Sequence, residues 1–233
     1  TDNGFWVSAR IERDADGRPL ALANVRIAEM ANEGGAPTSE KWNADAESLL
    51  VDGDSVTVGF ERRHRIATGT FDPATMVFNG RDERLPIPAR GLRSNRGCDM
   101  LAKSPPESPL AGAHVTVTEK RLDGNGNIMA AIMDGPGKGM FSVVRSDEFD
   151  VSDGDFLPNG DLLLLERRFN MASGISMRIR RINAQEIVKG ATVDGDVFLL
   201  ADMGYQIDNM ECLDVWTRDD GNWMVSLVSD DNH

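Results

Sequence analysis

Residues 45–64 read DAESLLVDGDSVTVGFERRH. An acid opens a short strand, Asp52-Gly53-Asp54 supplies a hairpin turn, and an apolar strand ends on a second acid, Glu61. The same order returns three times along the chain: NRGCDMLAKSPPESPLAGAHVTVTEKR at 95–121, DVSDGDFLPNGDLLLLERRF at 150–169 and DNMECLDVWTRDDGNWMVSLVSDDN at 208–232. The strand-end acids are Glu61, Glu119, Glu166 and Asp230, spaced by 58, 47 and 64 residues. Self-similarity near about 50 residues, built on strands, is the sequence signature of a β-propeller. The expected fold is therefore all-β, a β-propeller of four-stranded antiparallel blades, with four repeats visible and roughly five or six blades in a complete member. Residues 1–233 read as a single domain. TDNG at 1–4 echoes SDDN at 229–232, so the ring either closes with strands from both ends or lacks strands at one or both of them. In such a ring the second acid of each copy faces one mouth.

Strand signals dominate the rest of the chain. Ser55–Phe60, Ala113–Thr118, Asp161–Leu165 and Met224–Ser229 are short β-rich runs, and VTV and HVTVT alternate as half-buried strands do. LLLL at 162–165 is apolar throughout, which suits a strand covered on both faces. Trp6–Arg13, Val25–Met30, Arg65–Thr70, Ile128–Met133, Met140–Arg145, Met177–Ile182 and Val197–Ala201 are candidate outer strands. Asn183–Val188 reads as a short helical turn or a linker, and Asn32–Lys41 and Pro86–Gly97 as loops. KSPPESP at 103–109 is expected at the surface, because proline cannot sit in a central ladder.

Bulk numbers exclude some classes. No stretch approaches the roughly 18 apolar residues that a membrane helix needs, so no membrane insertion is expected. A net charge of −13 argues against nucleic acid or an anionic membrane as partner. An anionic substrate would need local arginines or a bound cation. The opening, TDNGFW, reads as the inside of a domain without an export leader, as a trimmed exported protein would too. Cys98 and Cys212 lie 114 residues apart and are expected to be buried free thiols.

The runs AESLLVDGDSVTVGFERRHRI, LRSNRGCDMLA, FLPNGDLLLLERRF and DNMECLDV…LVSDDNH resemble the "esterase-like activity of phytase" family over most of the chain. The resemblance implies a propeller, a periplasmic or secreted setting and hydrolysis of phosphate or other esters. The sequence departs from the family pattern at Asp99, where glutamate is usual, and at Cys212, where glycine is usual.

Three constellations could carry chemistry. The opening acids Glu47, Asp99 and Glu211, with Ser152 and Asp153 in the third copy, would converge near the channel. Carboxylates sharing one funnel repel unless protonated or bridged, and hard oxygen ligands suit calcium better than zinc. They could equally accept backbone N–H bonds and lock one blade to the next. The second is Glu61-Arg62-Arg63-His64, echoed by Glu119-Lys120-Arg121 and Glu166-Arg167-Arg168. Arginine donates bidentate bonds to phosphate, and His64 titrates near neutrality. The alternative is an inter-blade ion-pair ladder. The third is Arg93-Ser94-Asn95-Arg96 with Asp208-Asn209 and Asp230-Asp231-Asn232, a composition that caps turns and also binds calcium.

With the resemblance, these give a phytase-like, calcium-dependent hydrolase of a small anionic or ester substrate. Glu47, Asp99, Asp208 and Glu211 are the candidate metal ligands. Glu61, His64 and Glu211 are the candidate acid/base groups, and Arg63, Arg93, Asn95 and Arg167 the candidate substrate-binding groups. No G-x-S-x-G elbow is present, so a serine nucleophile is not expected. The competing reading is a non-catalytic propeller that binds a small ligand, glycan or protein.

Overall fold

The computed structural model describes residues 1, 3–31, 45–61, 65–83, 87 and 97–230. They form an all-β structure of several antiparallel sheets, with no α-helix among the described residues. The chain divides into two compact units, Thr1–Arg84 and Leu85–His233.

The first unit holds a hairpin, β1 (Phe5–Arg13) with β2 (Pro19–Glu29), and a four-stranded meander of β3 (Ala46–Asp52), β4 (Ser55–Phe60), β5 (Arg65–Asp72) and β6 (Val77–Glu83). Alternation aims Val56 and Val58 inward, where they pack with Trp6, Phe60, Ala67 and Met76. The Trp6 ring sits 4.8 Å from Phe71 and 5.5 Å from Phe78, tilted against both.

The second unit continues with β7 (Cys98–Lys103), β8 (His114–Leu122), β9 (Ile128–Ile132) and β10 (Gly139–Val143). Next come β11 (Asp150–Phe156), β12 (Leu162–Asn170) and β13 (Gly174–Ile182), then β14 (Thr192–Val193) and β15 (Asp196–Asp202). The last hairpin is β16 (Asn209–Thr217) with β17 (Trp223–Asp230). The sheet orders are β7-β8-β9-β10-β14, β11-β12-β13-β15 and β16-β17. The expected four strands per sheet thus hold for two sheets. A third gains a fifth strand because β14 pairs parallel with β10, Ser142 opposite Thr192. Within this unit β11 lies beside β7 on one side and β16 on the other, so neighbouring sheets meet through their first strands.

The LLLL run explains how the sheets stack. Leu162 and Leu164 enter one apolar cluster with Val115, Val117, Ile128 and Phe156. Leu163 and Leu165 enter another with Met177, Ile179 and Leu213. Each fully buried leucine contributes about 2 kcal/mol, and strand periodicity deals them alternately to the two clusters. Gly160, at φ +93, closes the Pro158-Asn159-Gly160 turn, and a Cβ there would stand 2.7 Å from Ser108 Cβ.

Several local expectations change. The helical turn shrinks to 3₁₀ residues Ala184–Glu186, capped by the Asn183 side chain, which accepts from Gln185 N–H. KSPPESP is exposed at Pro106, Glu107 and Pro109, but Ser104 and Ser108 are buried: Ser104 N–H donates to Ala113 O, and Ser108 packs beside the Gly160 turn. Cys98 is free and buried, as expected, whereas Cys212 is free and exposed, because β16 belongs to a two-stranded sheet. The loops at Asn32–Lys41 and Pro86–Gly97 lie outside the described residues, apart from Ile87 and Gly97.

Candidate functional site

Every repeat carries the same backbone irregularity. In β3, Ala46 pairs with Phe60 and Ser48 with Gly59, leaving Glu47 as the extra residue of a β-bulge. In β7 the pairs are Cys98 with Thr118 and Met100 with Val117, leaving Asp99. In β11 they are Val151 with Glu166 and Asp153 with Leu165, leaving Ser152. In β16 they are Met210 with Ser229 and Cys212 with Val228, leaving Glu211. A bulge bends its strand and re-aims the extra side chain. The opening acids of the sequence repeat are thus bulge residues at one structural position.

One residue before each bulge pair, the two strands meet again at their ends. Glu61 N–H donates to Asp45 O at 2.9 Å, and Glu119 N–H to Gly97 O at 3.4 Å. Asp150 pairs with Arg167, and Asn209 with Asp230. Each repeat therefore builds a corner of three positions: Asp45, Glu47 and Glu61; Gly97, Asp99 and Glu119; Asp150, Ser152 and Arg167; Asn209, Glu211 and Asp230. This register corrects one sequence alignment. Glu166 does not share the position of Glu61, Glu119 and Asp230; Arg167 does. Glu166 falls one residue earlier, on the opposite face of β12, and is fully buried.

The first corner gathers three carboxylates. Oxygens of Asp45, Glu47 and Glu61 lie within 4.8 Å of one another, with Asp45 buried, Glu61 half-buried and Glu47 exposed. Three hard oxygen donors from a strand start, a bulge and a strand end are a donor set suited to calcium. Asp45 is a member that the sequence reading missed; the signal was its backbone pairing with Glu61, two residues before the bulge acid.

The remaining corners lie in the second unit. Arg167 there bridges two of them, 3.7 Å from Glu119 and 3.1 Å from Glu211. Burial raises the Glu211 carboxyl above its ordinary value, Arg167 pulls it back, and Asp230 and Glu119 push it further up. Asp150 is held by Lys120 at 2.5 Å and Arg145 at 2.8 Å, and Ser152 Oγ donates to Met210 O at 2.9 Å. Arg167, Arg168, Phe169, Ile175 and Asn209 line a cavity of about 170 Å³. The Nε groups of Arg167 and Arg168 are buried without a hydrogen-bond partner.

Glu166 serves inside the protein. It receives Arg178 Nε at 2.7 Å and Arg180 Nε and Nη2 at 2.7 and 2.6 Å. Arg180 Nη1 continues to Asp194 at 2.6 Å, and the Arg178 guanidinium lies 4.3 Å over the Phe149 ring. On the neighbouring strand, Asp153 accepts from Leu213 N–H at 2.7 Å and Asp155 from Val215 N–H at 2.9 Å, tying β11 to β16. Burial pushes Asp153 up to about 7 and Asp155 up to about 6.

Among the sequence-derived candidates, Glu47 and Glu61 share one corner and Arg167 and Glu211 are ion-paired. Asp99 occupies its own bulge, and the Asp208 carboxylate caps Asn209 N–H at 2.8 Å at the start of β16. Arg63, His64, Arg93 and Asn95 lie outside the described residues.

An all-β chain with a recurring bulge and acids at its strand ends defines a class of β repeat protein. The chain matches the Phytase-like family, described as esterase-like activity of phytase, over residues 1–233, and it belongs to that family. No curated protein matches it.

Proposed function

We propose that this chain is a phytase-like hydrolase of phosphate or other esters, dependent on calcium and working in the periplasm or outside the cell, built as a β-propeller whose blades are the repeated sheets. The observation that carries this reading is the first corner, where Asp45, Glu47 and Glu61 bring three carboxylates together. Those residues would hold the ion. A bound divalent cation supplies Lewis acidity and an activated water, so no covalent nucleophile is needed. Arg167, beside the cavity in the second unit, is the described candidate for an anionic group of the substrate. Arg63, Arg93 and Asn95 extend that role, and Asp99 and Asp208 are further ligand candidates. Glu61, His64 and Glu211 are the acid/base candidates, and the raised Glu211 supports its serving as an acid.

A second reading has its own support. Arg167 already pairs with Glu119 and Glu211, as expected of a non-catalytic binding propeller whose corner charges latch the sheets. Calcium titration calorimetry on chelator-stripped protein separates the two, run with turnover of p-nitrophenyl phosphate and p-nitrophenyl acetate with and without calcium. The hydrolase reading expects calcium binding that Glu47→Gln abolishes and turnover that needs the ion. Calcium-independent folding with no turnover of either ester overturns it in favour of the binding module.

A further inference from the structure

Strand β15 ends its sheet on an apolar run interrupted by one bulge residue, Phe198, unlike the edges of the other two multi-stranded sheets. The first sheet closes on β6, VFNGRDE, whose second half is charged, and β10 is covered by β14. Such devices protect open strand edges from unwanted pairing. β15 reads DVFLLAD, the terminal strand of β11-β12-β13-β15, with no lysine, arginine or proline. Four consecutive large apolar residues are exposed on it: Val197 at 53%, Phe198 at 65%, Leu199 at 41% and Leu200 at 58%. Ile179 pairs with Leu199 and Arg180 with Val197, so Phe198 is the extra residue of a bulge and strict alternation breaks there, while all four apolar side chains stay at the surface beside the open edge.

Charge surrounds this strip. Asp196 and Asp202 bracket it, and at its start a cleft of about 460 Å³ is lined by Asp161, Glu186, Asp194 and Asp196 against Arg181. Arg181 is taken up by Asp161 at 2.5 Å, so the cleft is acidic overall. Self-pairing is opposed by the same charges: an antiparallel pair centred on Leu199 sets Asp196 of one copy opposite Asp202 of the other.

We propose that β15 and the acidic cleft at its start dock an extended segment of a partner protein, added as a fifth strand. That segment carries alternating apolar residues along β15 and a run of lysine or arginine at the end that enters the cleft. Main-chain hydrogen bonds to the edge supply affinity, and the basic end sets which direction the segment runs. The inference is independent of the corner acids and of hydrolysis.

The test uses the full chain and a fluorescent peptide of alternating valine and threonine ending in a lysine run. Anisotropy should show saturable binding, about tenfold weaker for Phe198→Lys and for Asp196→Lys. Hydrogen exchange should slow at residues 196–202 when peptide is present. Both variants should melt like the parent, since both side chains are at the surface. The proposal is overturned by absence of binding, or by equal binding of a peptide ending in glutamates. Equal binding of a peptide with prolines at successive positions, which leave no N–H for a ladder on either side, overturns it too. So does a parent chain that dimerises in solution while Phe198→Lys is monomeric, because the edge is then occupied by a second copy.

Discussion

The first and third repeats share a backbone and differ in charge, three acids in one corner against one acid and one arginine in the other. Both kink their first strand with one bulge residue and bring the strand ends together beside it. In the first, the three positions are Asp45, Glu47 and Glu61, a cluster of carboxylates. In the third they are Asp150, Ser152 and Arg167, each tied by ion pairs or hydrogen bonds to neighbours. The bulge sets where the side chains stand, and their chemistry decides whether the corner can take a cation or acts as a latch. The third repeat keeps an acid as well, but its register moves that acid one residue back, into the interior.

The most damaging way to break the third repeat is at that interior acid. Glu166 is balanced by Arg178 and Arg180, and all three are buried. Arg180→Met leaves Glu166 with one partner instead of two, and removing one member of such a buried set costs about 3–5 kcal/mol. Urea unfolding should show that loss as a lower midpoint with unchanged slope. Asp194→Asn, which removes only the exposed end of the network, should cost about 1 kcal/mol or less. Equal losses for the two would mean that the network is not organised around Glu166.

A second break is pH. Asp153 and Asp155 hold more protons folded than unfolded, since their carboxyls sit at about 7 and about 6 when buried against about 3.9 in an open chain. Stability therefore falls as pH rises from about 4 through 7, by about 1.4 kcal/mol for each pH unit by which a carboxyl is raised, with Asp153 contributing more than Asp155. Asp123 and Asp161 are shifted the other way, Asp123 by its bond from Ser142 and Asp161 by Arg181 against its own desolvation. Their contribution is lost only below about pH 4. Thermal melting across pH should peak at about pH 4, and Asp153→Asn should flatten the alkaline side. A melting temperature that climbs steadily to pH 8 would refute the assignment.

The sequence showed the strands because hydrophobic alternation is local. LLLL at 162–165 announces a strand covered on both faces, and the two leucine pairs do enter different clusters. The repeat of opening acids was legible for the same reason. Bulges were not, because an extra residue opposite a ladder leaves no compositional mark. Glu166 was grouped with Glu61 because each opens a Glu-Arg-Arg run, and Asp45, whose place is set by pairing across the hairpin, went unread. The partners of Arg167 were equally hidden, since Glu119 and Glu211 approach it from two other sheets.

The first corner is sharpened by calcium. Glu47→Gln removes one of three clustered carboxylates from an exposed position. Excess calcium should stabilise the parent by about 2–3 kcal/mol at a hundredfold over its dissociation constant, and the variant by much less. In chelator the order should reverse slightly, because the substitution relieves like-charge repulsion. A variant that melts below the parent in chelator would show that Glu47 is a structural latch after all.

The smallest effect tests the latch itself. Arg167 is partly exposed, so its pairs with Glu119 and Glu211 contribute about 1 kcal/mol at most. Arg167→Gln should therefore leave the melting temperature nearly unchanged. It should still raise the Glu211 carboxyl further, because the opposing cation is gone while burial, Asp230 and Glu119 remain. The titration of Glu211, followed by NMR of its side-chain carboxyl carbon, should move up in the variant by a measurable fraction of a pH unit. If it does not move, the guanidinium is screened from Glu211 in solution and the charge contrast between the two corners is smaller than their geometry indicates. If it moves while the fold is undisturbed, the third repeat's arginine tunes its neighbours electrostatically, and the bulge corner is a site whose charge can be changed without rebuilding the sheet.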